Sequence, residues 1–327
     1  MRRIGLAVVL ALGLSLASFA VEAQMAVKVW RIGVLVTGPQ PSEHVCLLAL
    51  RRGLTDLGYV EGRTHELKIR WGEEPPEESL PRIARELVKL GVDLVVSVSS
   101  QGLVQAKPAL AAVPVVMGAS NYPVERGLAL SLAHPGGNIT GMATFTSGVV
   151  EKRMQLLAEA VPQVSRVAVL RLPGDQNDFI VRDLGRAARL LGLKLQAIEV
   201  RKVEEFPAAF DAAARGGAQA IMTAQGPFFL QHIRQFAEHA LKRKLPSFSG
   251  EPTAAKAGVL MSAGASIPAS CYRGATYVDR ILKGAKPADL PLEQPTTIGL
   301  EINLKTAKTL GLTIPPSLLL RADQVIE

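Results

Sequence analysis

The chain is poor in the residues that announce chemistry. Only two cysteines, Cys46 and Cys271, stand in 327 residues, too few for a disulfide-stapled scaffold. The five histidines include no His-Glu-x-x-His pair, and His232 and His239 lack a matching ligand cluster, so no metal site is expected. There is no G-x-x-x-x-G-K-[ST] loop to cradle phosphates and no G-x-S-x-G turn to present a hydrolase serine. After the first strand candidate stands Thr37-Gly38-Pro39, where a dinucleotide-binding fold needs Gly-x-Gly-x-x-Gly. Neither an enzyme nor a cofactor is expected. Aromatic residues are 5% of the chain, and beyond the N-terminus its formal net charge of +8 is dense only at Arg51-Arg52 and Lys242-Arg243-Lys244. Scattered charge with few aromatics describes a solvated surface and argues against nucleic acid as a partner.

What the chain has is apolar bulk. Hydrophobic residues make up 48% and charged residues 20%, the composition of a packed protein, and the length suggests about two domains. Arg2-Arg3, an apolar run from Ile4 to Val21 and the end Glu22-Ala23-Gln24 have the layout of a secretory signal peptide over residues 1–23. An uncleaved anchor is the alternative, since the run approaches the ~18 residues at which spanning becomes feasible. Cleavage after Ala23 leaves 35 basic and 28 acidic residues, or +7, on a chain that works in the periplasm or otherwise outside the cytoplasm. That oxidising setting permits a Cys46–Cys271 bridge, although two buried free thiols are the expectation.

From Val29 onward, short apolar runs alternate with segments of helical period, the pattern of parallel strands joined by crossover helices. Leu67, Ile69 and Trp71 alternate with Lys68 and Arg70, which predicts a strand with one wet face. Asp93 to Val98 is almost wholly apolar and suits a central strand covered on both sides. Met154, Leu157, Ala158 and Val161 predict one helix stripe, and Leu230, Ile233, Ala237 and Ala240 another. His134-Pro-Gly-Gly-Asn138 is read as a tight turn. About ten strand candidates are too many for one ordinary doubly wound sheet, so two lobes are expected.

Several long stretches resemble one family in fixed order: GLTDLGYVEGR from Gly53, LALSLAHPGGNITGMA from Leu128, KRMQLLAEAVP from Lys152, and the whole of Tyr277 to Glu327. They are similar to the substrate-binding proteins of ABC transporters, specifically the TrpX-like group. The resemblance implies an α/β protein of the type I periplasmic-binding fold, two Rossmann-like doubly wound lobes with a ligand cleft between them. It implies a first lobe of residues 25–141 plus 263–293, a second of 142–262 plus 294–327, and three hinge crossings. The function implied is capture of a small organic ligand by hinge closure, as a monomer, for delivery to an inner-membrane ABC permease with its cytoplasmic ATPase. A ligand sensor of the same fold, presenting its closed form to a signalling receptor, is the alternative.

In open parallel sheets, ligands sit beyond the carboxyl ends of the strands. In the first lobe that rule selects Thr37 and Gly38, then Ser99, Ser100 and Gln101, and then Ser120, Asn121 and Tyr122. In the second lobe it selects Asp175, Asp178, Gln225, Phe228 and Glu251. Hydroxyls beside helix N-termini favour an anion, whereas the three carboxylates suit a cation, so an amino acid or related zwitterion bridging the lobes is expected. Tyr122, Phe145 or Phe228 would cover its apolar part. N-capping is the competing role for Ser and Asp before helices. Many relatives have Asp-Pro where this chain has Tyr122-Pro123, an Asn-rich loop at Leu172 to Asp175, and Met-Ser-Tyr-Gly at Met261 to Gly264. The aromatic preference in the group's name is therefore not carried over.

Overall fold

The computed structural model describes residues 28–37, 44–72, 76–295 and 298–327; the expected signal segment 1–23 and Gly38 lie outside them. Along the chain run β1 (Trp30–Thr37), α1 (Val45–Asp56), β2 (His65–Gly72), α2 (Pro76–Lys89), β3 (Leu94–Ser97), α3 (Ser100–Ala106), β4 (Val115–Asn121) and β5 (Ile139–Phe145). Next come α4 (Ser147–Ala160), β6 (Arg166–Arg171), α5 (Asp175–Leu190), β7 (Lys194–Glu199), α6 (Phe206–Arg215), β8 (Ala220–Thr223), α7 (Pro227–Gln231), α8 (Ile233–Lys242) and β9 (Ser247–Ser249). The chain finishes with β10 (Met261–Gly264), α9 (Ile267–Leu282), β11 (Gly299–Asn303), α10 (Leu304–Leu310), α11 (Pro316–Leu319) and β12 (Gln324–Ile326).

Two sheets result. The first has the order β2-β1-β3-β4-β5 and is parallel throughout. Its apolar β3 lies in the middle, while the half-wet β2 is an edge, so the alternation of Leu67, Ile69 and Trp71 with Lys68 and Arg70 finds its physical reason. The second has the order β12-β11-β10-β9-β8-β6-β7; β11 runs antiparallel to β10, so the last two strands oppose the rest. Leu80, Ile83 and Leu87 of α2 cover one face of the first sheet. Leu50 and Leu54 of α1, with Val278 of α9, cover the other. Phe206, Phe210, Phe236 and Phe248 fill the second lobe without solvent exposure. Burial of such rings contributes roughly 1.5–3 kcal/mol each.

The two cysteines are not free thiols. Cys46 at the start of α1 and Cys271 in the first turns of α9 form a disulfide, with Cα atoms 5.3 Å apart across a separation of 225 residues. The helices come this close because Gly53 has no side chain: a Cβ there would lie 2.7 Å from the Tyr272 carbonyl oxygen and 2.8 Å from the Ala275 Cβ. The bond sits against Gly118 and Ala119 of β4.

The first passage between the sheets follows Phe145, which still pairs with Asn121 of β4. A second follows β10, and a third lies near Glu293, whose N–H donates to the Gly141 carbonyl at 2.9 Å. The expected boundaries at 141 and 263 thus fall inside β5 and β10. His134 to Asn138, expected as a tight turn, has no regular turn of its own: it is irregular with a bend at Gly137 and Asn138, and is held by the Asn138 side-chain N–H groups on the Leu110 and Val113 carbonyls. Gly141 has φ +122°, and a Cβ on it would stand 2.4 Å from the Met117 carbonyl oxygen. Gly141→Ala is therefore expected to lower stability by roughly 3 kcal/mol, read from the urea midpoint.

Candidate functional site: the cavity between the lobes

The carboxyl ends of β1, β3, β4 and β5 face the loops after β8 and β9 across a cavity of about 360 Å³. A larger depression of about 620 Å³ lies beside α5 and β7, but residues of the second lobe alone line it. A ligand there would not bridge the lobes, so the interlobe cavity is the site that closure can report.

The first-lobe wall is polar at the level of single atoms. The Ser99 Oγ accepts the Gly102 N–H at 3.3 Å and so caps α3; the Ser100 Oγ accepts the Asn121 N–H at 3.2 Å. Capping takes up one lone pair and leaves the hydroxyl hydrogen to donate. The Thr37 Oγ1 and the His44 Nδ1 are buried without a hydrogen-bond partner among the described residues. The His44 ring meets Trp71 edge-on at 5.5 Å, and burial pushes its pKa down, so it is neutral at pH 7.

The second-lobe wall centres on Glu251, only 7% exposed. Its Oε1 accepts the Gly226 N–H at 2.7 Å. Burial raises its pKa, while the Gly226 N–H, the Arg153 charge and the Gln225 side chain pull it back down. Arg153 of α4 is 3% exposed. It donates from Nε to the Ala263 carbonyl at 2.8 Å, from one terminal nitrogen to the Gln225 Oε1 at 3.0 Å, and from the other to the Gly250 carbonyl at 3.0 Å. Its guanidinium lies 4.9 Å from the Phe145 ring centre, and burial lowers its pKa to about 10. Phe145, Leu230, Val98 and Ile267 supply the apolar lining.

The cavity thus brings together Thr37, Ser99, Ser100 and Asn121 from the first lobe, with Phe145, and Gln225 and Glu251 from the second. Gln101 and Asp175 stand in the first turns of α3 and α5. Four expected residues do not line it. Ser120 is buried in β4, and its hydroxyl has no hydrogen-bond partner among the described residues. Tyr122 leaves the first sheet at φ +52° and enters the second lobe's core, its ring centre 5.3 Å from that of Phe179. Its hydroxyl lies beside the buried Asp183 carboxylate without a regular hydrogen bond, and burial, then that charge, push its pKa up. Phe228 packs on Phe206 and Phe229.

Asp178 is exposed and pairs with Arg171 at 2.5 Å. Asp178→Asn is expected to leave ligand affinity within about twofold, measured by calorimetry, because an exposed ion pair off the cavity contributes ~1 kcal/mol at most. Sequence reasoning missed His44, Leu230, Ile267 and Arg153. Leu230 belongs to the short α7, which His232 separates from α8, so it leaves the expected stripe and turns to the cavity.

Two α/β lobes with three connections and a cleft at their strand ends define a type I periplasmic-binding fold. The family described as ABC transporter substrate binding protein matches residues 31–326, and the chain belongs to it. A tyrosine-binding protein of Clostridioides difficile is 22% identical over 284 residues, covering 86% of this chain and 81% of that protein. Among solved structures, the ABC domain of Streptococcus pneumonia in complex with L-Trp superposes with a TM-score of 0.79 at 25% identity, over 91% of this chain and 100% of that one. A conserved domain protein of Vibrio cholerae gives a TM-score of 0.78 at 27% identity, with the same coverage. The family binds solutes and is not one of enzymes.

Proposed function

We propose that the protein captures a small α-amino acid or related zwitterion between its lobes outside the cytoplasm and delivers it to an ABC permease. The observation that carries this reading is the pairing of walls across one cavity: hydroxyl donors of Thr37, Ser99 and Ser100 on one side, the buried Glu251 carboxylate on the other. The carboxylate of a zwitterion meets the hydroxyls and its ammonium meets Glu251. A ligand that touches both lobes binds the closed state more tightly and shifts the population towards it. Relatives named for tyrosine and for a tryptophan complex support the amino-acid class. No helix among the described residues is long and apolar enough to cross a membrane.

The test is thermal stabilisation of the chain from Gln24 by the twenty L-amino acids, their N-acetyl derivatives, the corresponding amines, and sugars. Binding to the native state stabilises by RT ln(1 + [L]/Kd), about 2.7 kcal/mol at a hundredfold excess over Kd. The expected result is a selective rise with free amino acids that N-acetylation or loss of the carboxylate abolishes. A rise with sugars alone, or one equal for N-acetyl derivatives, would overturn the assignment.

A further inference from the structure

Arg153 is not itself one of the residues that line the cavity, yet its bonds converge behind the site on residues that do. Arginine only donates hydrogen bonds and a carboxylate only accepts them, whereas a glutamine side chain does both. Gln225 stands beside both: its Oε1 accepts from Arg153 at 3.0 Å, so its NH₂ group remains as a donor next to the cavity that Gln225 and Glu251 line together. The Arg153 contact thus fixes which way the Gln225 amide points. The remaining Arg153 bonds go to the Gly250 carbonyl, next to Glu251 in the chain, and to the Ala263 carbonyl of β10, ahead of the second passage between the lobes. Its flat face lies on Phe145, the last residue before the first passage.

We propose that Arg153 is the positioning residue of the ligand site, orienting Gln225 beside Glu251 and fastening that acceptor to two of the passages between the lobes. This rests on reading Glu251 as the acceptor of the ligand's ammonium. The charged and titratable groups around Glu251 are Arg153 from α4, His44 across the cavity and, behind Arg153, Tyr122. The Gly226 N–H completes the set. A lysine at position 153 would keep the positive charge but lose the planar fork that reaches Gln225, Gly250 and Ala263 together.

The experiment follows the Glu251 carboxyl carbon by NMR in ligand-free protein labelled at glutamate, its signal assigned by its loss in Glu251→Gln. Arg153→Lys and Gln225→Met are each expected to raise the titration midpoint by about one pH unit. The double variant is expected to rise no further than Gln225→Met alone, because both changes cut one chain of contacts. An unchanged midpoint in Arg153→Lys, or full additivity in the double variant, would overturn the proposal. Should Arg153→Lys not fold, an unchanged midpoint in Gln225→Met overturns it instead. Amino-acid binding in Glu251→Gln is measured separately: if it equals wild type, the zwitterion reading fails while the titration result still judges the link from Arg153 to Glu251.

Discussion

Replacing Glu251 by glutamine is expected to weaken capture of an α-amino acid by roughly 100-fold, since truncating one partner of a buried charge pair costs about 2–5 kcal/mol. Isothermal titration with whichever amino acid stabilises the wild type measures it. The same change is expected to stabilise the ligand-free protein at pH 7. Glu251 is buried and its pKa is raised above the ordinary 4.5, so between that value and the raised one the folded chain holds a proton that the unfolded chain has released. Its contribution to stability therefore falls as pH rises through the window and remains unfavourable above it. Glutamine removes that penalty, and the difference between variant and wild type should close as pH falls towards 4. An affinity within threefold of wild type would show that the ligand's cation lies elsewhere.

Removing the disulfide should have a large effect on stability. Closing a loop across 225 residues gives an upper limit of about 5 kcal/mol in the chain-entropy treatment, and native bonds usually contribute less. Cys46→Ala with Cys271→Ala is expected to cost roughly 3 kcal/mol and to lower the melting midpoint by about 5 °C. Alanine is the apt replacement because the bond sits among Ala119, Val98 and Ile267, where a serine hydroxyl would be buried unpaired. Those three residues also line the cavity, so affinity should fall severalfold alongside the midpoint. Both cysteines lie in the first lobe, so closure itself remains free. Thiol titration of the unfolded wild type gives the direct check: no thiol before reduction, two after it.

The strands of the first sheet were legible because their burial is written as residue periodicity. Apolar Asp93 to Val98 is central and alternating Leu67 to Trp71 is an edge. Ser247–Ser249 and Gln324–Ile326 escape the same reasoning: a three-residue strand is too short to show a period, and Ser-Phe-Ser carries little apolar signal. The strand-end rule found both polar walls of the cavity, since it rests on topology. It could not separate Asp178 from Glu251, because the Arg171 that engages Asp178 comes from the neighbouring β6 and pairing is a matter of tertiary distance. Tyr122 read as a cover for ligand because an aromatic residue at a strand end looks alike whether it faces the cleft or plugs the other lobe. The cysteine pair was hidden for a similar reason: two residues so far apart in sequence carry no spacing signal, and only the seating of α9 on α1 joins them.

That seating also bears on the order in which the molecule can assemble as it is synthesised. Ile32, Val34, Val96 and Val116 present an apolar face that waits for Tyr277, Val278 and Ile281 to arrive from α9. By then the whole run from α4 to β10 has already been made. The lobe that begins first therefore finishes late, and its half-covered sheet persists through synthesis of the intervening lobe. A nascent chain halted before Ile267 should bind a chaperone or a hydrophobic dye through this face, and one extended past Leu282 should release it.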